Sequence, residues 1–151
     1  MAERRRPTDP ALDYRNWGVL AGRVEDRTMI ARVRMDAMEE GRGEAFTQCI
    51  TLSVTVQEAT PEGLPTMEEM GRLDQIETRI HDLLRERGGA ILALLISTAG
   101  RREIVLYGQD HGWIETHRDV LDTAIGEHAA RVVVTPDPDW SFYKRFREHA
   151  R

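Results

Sequence analysis

One cysteine in 151 residues leaves no pair for an internal disulfide, so the fold has to be held by its own core. A chain this poor in thiols fits a reducing compartment, and a cytoplasmic location is the expectation. Long apolar runs are missing as well. The longest, Ala90 to Ile96, is far shorter than the roughly 20 residues a helix needs to cross a bilayer. The start, Met1 to Pro7, lacks the apolar stretch of a signal peptide. Positive charge is short too. The formal net charge of −5 counts against a general nucleic-acid binder. No Gly-x-Gly-x-x-Gly, Walker loop or Gly-x-Ser-x-Gly pattern occurs, so nucleotide binding by those routes and serine hydrolysis lack support.

What is present is an ordinary globular balance, with 40% hydrophobic and 31% charged residues. Residues 1–15 are charged and punctuated by proline, and read as a mobile arm. Residues 16–151 read as one α+β domain, long enough to bury about 70% of its unfolded surface.

The strongest local signal is Leu64 to Arg87. Thr66 and Glu69 have capping-box spacing, in which each side chain reaches an amide at the other's end of the turn. Met70, Leu73, Ile76, Ile80, Leu83 and Leu84 then recur at helical steps. Gly88-Gly89 supplies the stop. Before this helix, Trp17 to Val24 and Thr28 to Met35 read as a hairpin, followed by a polar loop over Asp36 to Glu44. Phe46 to Gln57 alternates, with Phe46, Ile50, Leu52, Val54 and Val56 on one parity and Thr, Ser and Cys49 on the other. That polar parity is either solvated or the floor of a groove.

After the helix, Ala90 to Ser97 is apolar on both parities, as a strand covered on both faces would be. Thr98 to Arg101 is a tight turn into Arg102 to Tyr107. A helix is expected from about Trp113 to Ala129, then a strand over Arg131 to Thr135. Asp137-Pro138 opens a terminal helix with proline at its favoured first position. From Phe46 onward the order is βαββαβ. This is the ferredoxin-like two-layer sandwich, with two helices on one sheet face, an added N-terminal hairpin and a C-terminal helix.

Three constellations could carry chemistry. Four of the nine aromatics fall in Trp140, Phe142, Tyr143 and Phe146, either a wall for a ligand or a clamp that docks the last helix, with Asp137 as its cap. The turn Thr98-Ala99-Gly100-Arg101-Arg102 could present amides and guanidinium groups to an anion, or be a solvated hairpin turn. Arg102, Tyr107 and Asp139 could form one cluster, with Asp139 pairing Arg102, as a site or as a tertiary latch. The candidate binding residues are therefore Thr98, Arg102, Tyr107, Asp137, Asp139, Trp140 and Tyr143. His81, His111, His117, His128 and His149 have no ligand spacing, and no metal or cofactor is expected. Cys49 on a strand of threonines has nothing in the sequence to lower its pKa.

Gly63-Leu64-Pro65 with Glu69 and Leu73, then Thr98, Gly100, Arg102 and Tyr107, then Asp137-Pro138-Asp139-Trp140 with Tyr143 and Phe146 form an ordered set. The set resembles the bacterial family catalogued as domain of unknown function six-nine-five, over most of the chain from Trp17. The resemblance implies a link to regulators like ribonuclease E inhibitor B, which are acidic, ferredoxin-like and act by binding an enzyme. The leading expectation is a non-catalytic protein-binding or regulatory module, working through a sheet edge or through the Thr98 to Tyr107 and Asp137 to Phe146 surface. A small hydrolase using Glu103 or Asp139 with Arg102 is the alternative. An RNA-binding module is the third, although the exposed strand parity offers threonines where bases need aromatics.

Overall fold

The computed structural model describes residues 14–42 and 45–151, so the expected arm lies outside the described residues up to position 13. After a 3-10 turn at Tyr14–Asn16 come β1 (Trp17–Val24), β2 (Arg27–Arg34), α1 (Ala37–Arg42), β3 (Gln48–Thr55), α2 (Met67–Arg87), β4 (Ala90–Thr98) and β5 (Arg101–Gly108). Then follow α3 (His111–Ile125), β6 (Ala130–Pro136) and α4 (Ser141–Arg147). All strand pairs are antiparallel, in one six-stranded sheet of order β1-β2-β4-β5-β3-β6.

The α+β class is as expected, but the sheet order differs from that of a four-stranded sandwich. The β1–β2 hairpin joins the sheet through β2, which pairs with β4 and continues the sheet beyond it. Nor are there only two layers. α2 and α3 pack on one face over Ile50, Leu52, Val54, Leu92, Leu95, Ile104 and Leu106. On the other face, residues of β2, β3, β4 and β5 pack with Ala37 of α1 and Tyr143 of α4. Cys49 belongs to this second face, which is why the polar parity of β3 is not wholly solvated. Phe46 also packs there rather than with Ile50. It precedes β3, and Ala45 before it has a positive φ of 55°, so the strand alternation does not reach it.

Every residue of β4 is buried. Its register with β5 shifts between Leu92 and Leu94, a bulge at Ala93 that exchanges the parities. Leu92 and Leu95 thereby face α2, while Leu94 and Ile96 face the other core.

Three local expectations are corrected. The polar loop after β2 contains α1. α3 starts at His111, two residues before the expected Trp113, because the Asp110 side chain accepts from the Trp113 amide at 3.1 Å and caps the helix there. The terminal helix starts at Ser141, not at Pro138. Asp137 to Trp140 forms a turn closed by Trp140 N–H to Asp137 O at 2.9 Å, with Pro138 at its second position.

The capping box is only half formed. Thr66 accepts from the Glu69 amide at 3.3 Å. The Glu69 carboxylate instead takes the Gln57 amide at 2.6 Å, Arg72 Nε at 2.8 Å and His128 Nε2 at 2.9 Å, tying the start of α2 to the end of β3 and the α3–β6 connection. Burial would raise the Glu69 pKa, but these three partners hold it below the ordinary carboxylate value. Stability from this carboxylate is present above the ordinary value and is lost as pH falls through the lowered one. Glu69→Gln is expected to cost about 1.5–3 kcal/mol at neutral pH. Urea unfolding at pH 7 and in acid should show the cost shrinking on acidification; an equal cost at both would remove this role.

Candidate functional site

The sheet separates the residues singled out by the sequence. Arg102, in phase with Ile104 and Leu106, faces α2; Tyr107, in phase with Val105, faces α4. Tyr107 stacks on Trp140 with ring centroids 4.0 Å apart, and Trp140 meets Tyr143 edge-on at 5.4 Å. The Tyr107 hydroxyl donates to Asp137 Oδ2 at 2.7 Å and accepts from the Tyr143 amide at 3.2 Å. Asp137 also takes the Ser141 and Phe142 amides at 2.8 and 3.0 Å. Trp140 Nε1 donates to Phe46 O at 2.8 Å, and the Tyr143 hydroxyl to Arg34 O. Tyr107, Trp140 and Tyr143 are all buried. Together with Asp137 they fasten α4 to the sheet, so Trp140 and Tyr143 are not presented to solvent, whereas Phe142 and Phe146 are half-buried and Phe142 lines a cavity of about 300 Å³ with Cys49, Thr51, Asp137 and Arg145.

Asp139 is exposed on the turn before α4, and the partner of Arg102 is Glu77. Glu103 faces the second core side and pairs with Arg101 at 2.9 Å. The hydrolase arrangement of Arg102 with Glu103 or Asp139 is therefore not assembled. In the β4–β5 turn both Ala99 and Gly100 have positive φ, the two-residue hairpin geometry. The Gly100 amide donates to Gly63 O at 2.8 Å and so is already used. Thr98 Oγ1 donates to Thr28 O at 2.9 Å, tying β4 to β2. Burial pushes the Cys49 thiol above its ordinary pKa, which disfavours the thiolate. Among the described residues no three His, Cys, Asp or Glu side chains converge as metal ligands would.

Two further cavities lie where α2 and α3 leave the β1–β2 edge of the sheet uncovered. Val19 and Ile30, on facing strands of that edge, are 51% and 39% exposed. Beside them β2 and α2 form the walls of a trough. One cavity of about 220 Å³ is lined by Ile30, Arg32, Leu64, Met70, Leu95, Ser97 and Arg102, with Thr60, Glu62 and Pro65. A second of about 250 Å³ lies against Arg34, two residues on along β2, with Glu40, His81, Leu84, Arg85 and the start of β4.

Arg102 closes the first cavity. It is 4% exposed, donates through Nε to Ser97 Oγ at 2.7 Å and through Nη1 to Glu77 Oε2, and meets Met70 Sδ through Nη2 at 3.1 Å. Glu77 has no exposed surface, and its Oε1 has no hydrogen-bond partner among the described residues. Burial pushes its carboxyl up to about 7, against the pull of Arg102. A perturbed carboxyl and a buried guanidinium beside a cleft mark a candidate site.

Glu77 escapes a reading that looks only for apolar periodicity, yet it carries a signal. It stands four residues after Leu73 and three before Ile80, inside the buried stripe, where an acid needs a partner. Arg32 and Ser97 have no such signal. Their place depends on which face of β2 and β4 turns towards α2.

Comparison with curated proteins and with solved structures gives no significant match, and nothing links the chain to the ribonuclease E inhibitor B-like regulators. With the fold in hand, the three quoted stretches fall in the segment entering α2, in the β4–β5 hairpin and in the α4 latch. Over residues 15–146 the sequence matches the family of unknown function DUF695, and the chain belongs to that family.

Proposed function

We propose that the chain is a non-catalytic, cytoplasmic regulatory module that takes up an extended, acidic segment of a partner protein along the trough between β2 and α2. Occlusion of that segment is its mode of action. The observation that carries this reading is the concentration of arginine along the trough. The two cavities are lined by four arginines against two glutamates, on a chain whose formal net charge is −5, although Arg34 is paired with Asp36 and Glu40 and Arg102 with Glu77. Arginines of this kind steer an acidic partner and set its register, while the exposed Val19 and Ile30 supply apolar contact beside them. No helix among the described residues is long and apolar enough to cross a membrane.

For the fold, we keep the ferredoxin-like reading as a proposal for the portion from β3 to β6. Its support is the βαββαβ connection order with α2 and α3 packed on one face.

The test is an affinity capture from lysate of the native host, with and without nuclease, run beside the variant Ile30→Asp/Arg85→Glu. One stoichiometric protein should survive nuclease, be lost with the variant, and be displaced by a peptide from its own acidic stretch. Equal capture by the variant would overturn the trough as the binding surface. A partner lost on nuclease treatment would move the reading to RNA.

A further inference from the structure

We propose that the cavity beside Arg102 is a carboxylate pocket, in which Arg102, Arg32 and Ser97 receive a single carboxylate group, from an acidic side chain or from a chain end. This deepens the module reading and rests on it for the identity of the ligand's carrier. The site itself rests on geometry.

The first observation is the state of Arg102. A guanidinium has five N–H donors. Here one goes to Ser97, one to Glu77, and on the Nη2 side the contact is a thioether sulfur. Sulfur is a weak acceptor, and a buried charged donor left with one gains when an oxygen anion replaces it. Arg102 is almost fully buried yet lines the cavity, so a group entering from the trough meets its donors already desolvated. Met70 lines the same cavity, and its unbranched side chain can move aside.

The second observation is size and charge. About 220 Å³ accommodates a carboxyl on a short aliphatic stem, for which Leu64, Pro65 and Leu95 are suitable walls. Arg32 brings a second cation to the cavity. Glu62 on its lining, with Glu77 behind Arg102, limits the negative charge it tolerates, which favours a monoanionic carboxylate over a phosphate dianion.

Glu77 gives the pocket a pH signature. The charged groups acting on it are Arg102 from β5, Arg32 from β2 and Asp74 on α2 itself. While Glu77 is ionised it competes with the ligand for Arg102. Once protonated it releases the guanidinium charge to the incoming carboxylate. Glu77 titrates at about 7. If only the protonated form is competent, affinity should fall by about tenfold between pH 6 and pH 8.

The experiment titrates the full chain with four probes: N-acetylglutamate N-methylamide, the matching glutamine compound, N-acetylalanine with its free chain-end carboxylate, and inorganic phosphate. The arginine Nε–H signals are followed by NMR. A saturable shift of the Arg102 signal is expected with the glutamate probe or with N-acetylalanine, the tighter of the two naming the source, and none with the glutamine compound. Affinity should be about tenfold higher at pH 6 than at pH 8 in the native chain and flat with pH in Glu77→Gln. Arg32→Gln should weaken binding at least fivefold, measured at a temperature where the variant is fully folded. The proposal is overturned by equal response to the glutamate and glutamine probes, by no saturable shift with either carboxylate, by stronger binding of phosphate, or by unchanged affinity in Arg32→Gln. Because single-residue probes read the pocket alone, failure of the lysate capture with success here would refute the protein partner and leave the pocket standing. The reverse result would refute the pocket only.

Discussion

Arg102→Met is expected to destabilise the fold by about 3–5 kcal/mol at pH 8, because it leaves the Glu77 carboxylate buried without its cation. Glu77 has no exposed surface, one of its oxygens has no partner among the described residues, and Arg102 bonds the other. The sign of the pH dependence follows from the direction of its pKa. Burial raises the carboxyl to about 7 even with Arg102 present. The folded state therefore holds a proton that the unfolded chain releases at the ordinary value, and native stability falls as pH rises through that window to about 7. Removing Arg102 raises the folded pKa further, so the variant loses more on going to pH 8 than the native chain does. At pH 5, with Glu77 protonated in both, the gap between them should shrink to about 1–2 kcal/mol, the value of the lost hydrogen bonds and packing. The double variant Glu77→Leu/Arg102→Met should recover most of the stability at pH 8, since an apolar pair of similar volume often replaces a buried ion pair without loss. Urea unfolding of the four proteins at both pH values decides it. A double variant as unstable as Arg102→Met would mean that charge burial is not the cause. If the native chain and the Arg102→Met variant respond equally to pH, the coupling to Glu77 is refuted.

The second large effect is at the α4 latch. Trp140→Ala should cost about 3–5 kcal/mol. Trp140 buries its ring against Tyr107 and Tyr143, and its indole N–H satisfies the Phe46 carbonyl. Trp140 does this from a left-handed conformation, φ 58°. A bulky residue there carries strain of about 1–2 kcal/mol, which the ring contacts must exceed. Ala keeps the strain and loses the contacts. Trp140→Phe keeps a ring for the stack and loses the N–H, and should cost about 1–3 kcal/mol, much of it the orphaned carbonyl. Thermal unfolding with hydrogen exchange at the α4 amides gives the readout. Trp140→Ala should expose those amides well before the sheet unfolds. Melting within a degree of the native chain would show that the stack carries no stability. Asp137 belongs to the same latch. Burial alone would raise its pKa, but donors from Tyr107, Phe142 and Ser141 hold the carboxyl below its ordinary value, so its contribution is lost as pH falls into the acid range.

The two effects lie on opposite faces of one sheet, although Arg102 and Tyr107 are five residues apart on one strand. An odd spacing on a strand puts side chains on different faces, so this much follows from period alone. Grouping Arg102, Tyr107 and Asp139 in one cluster conflicts with that period.

The sequence by itself determined the elements with a strong local cause. α2 is specified by its Thr66 cap, an apolar stripe and a glycine stop. The tight β4–β5 turn is signalled by Gly100, although Ala99 beside it also takes a positive φ that alanine does not favour. The family follows from ordered short motifs. Fold class follows from the order of periods along the chain. What only the tertiary structure decided depends on partners distant in sequence. α1 has too few residues for an apolar period, and Ala37 is fixed by burial in the second core. The bulge in β4 is invisible in a run that is apolar on both parities. Glu69 could have closed its own capping box, but the Gln57 amide and His128, brought near by β3 and β6, compete for it. The trough exists because α2 and α3 leave β1 and β2 uncovered, and no local rule states how far two helices reach across six strands. Local propensities act within a few residues of each side chain. Layer coverage and charge pairing depend on how elements dozens of residues apart fill one volume.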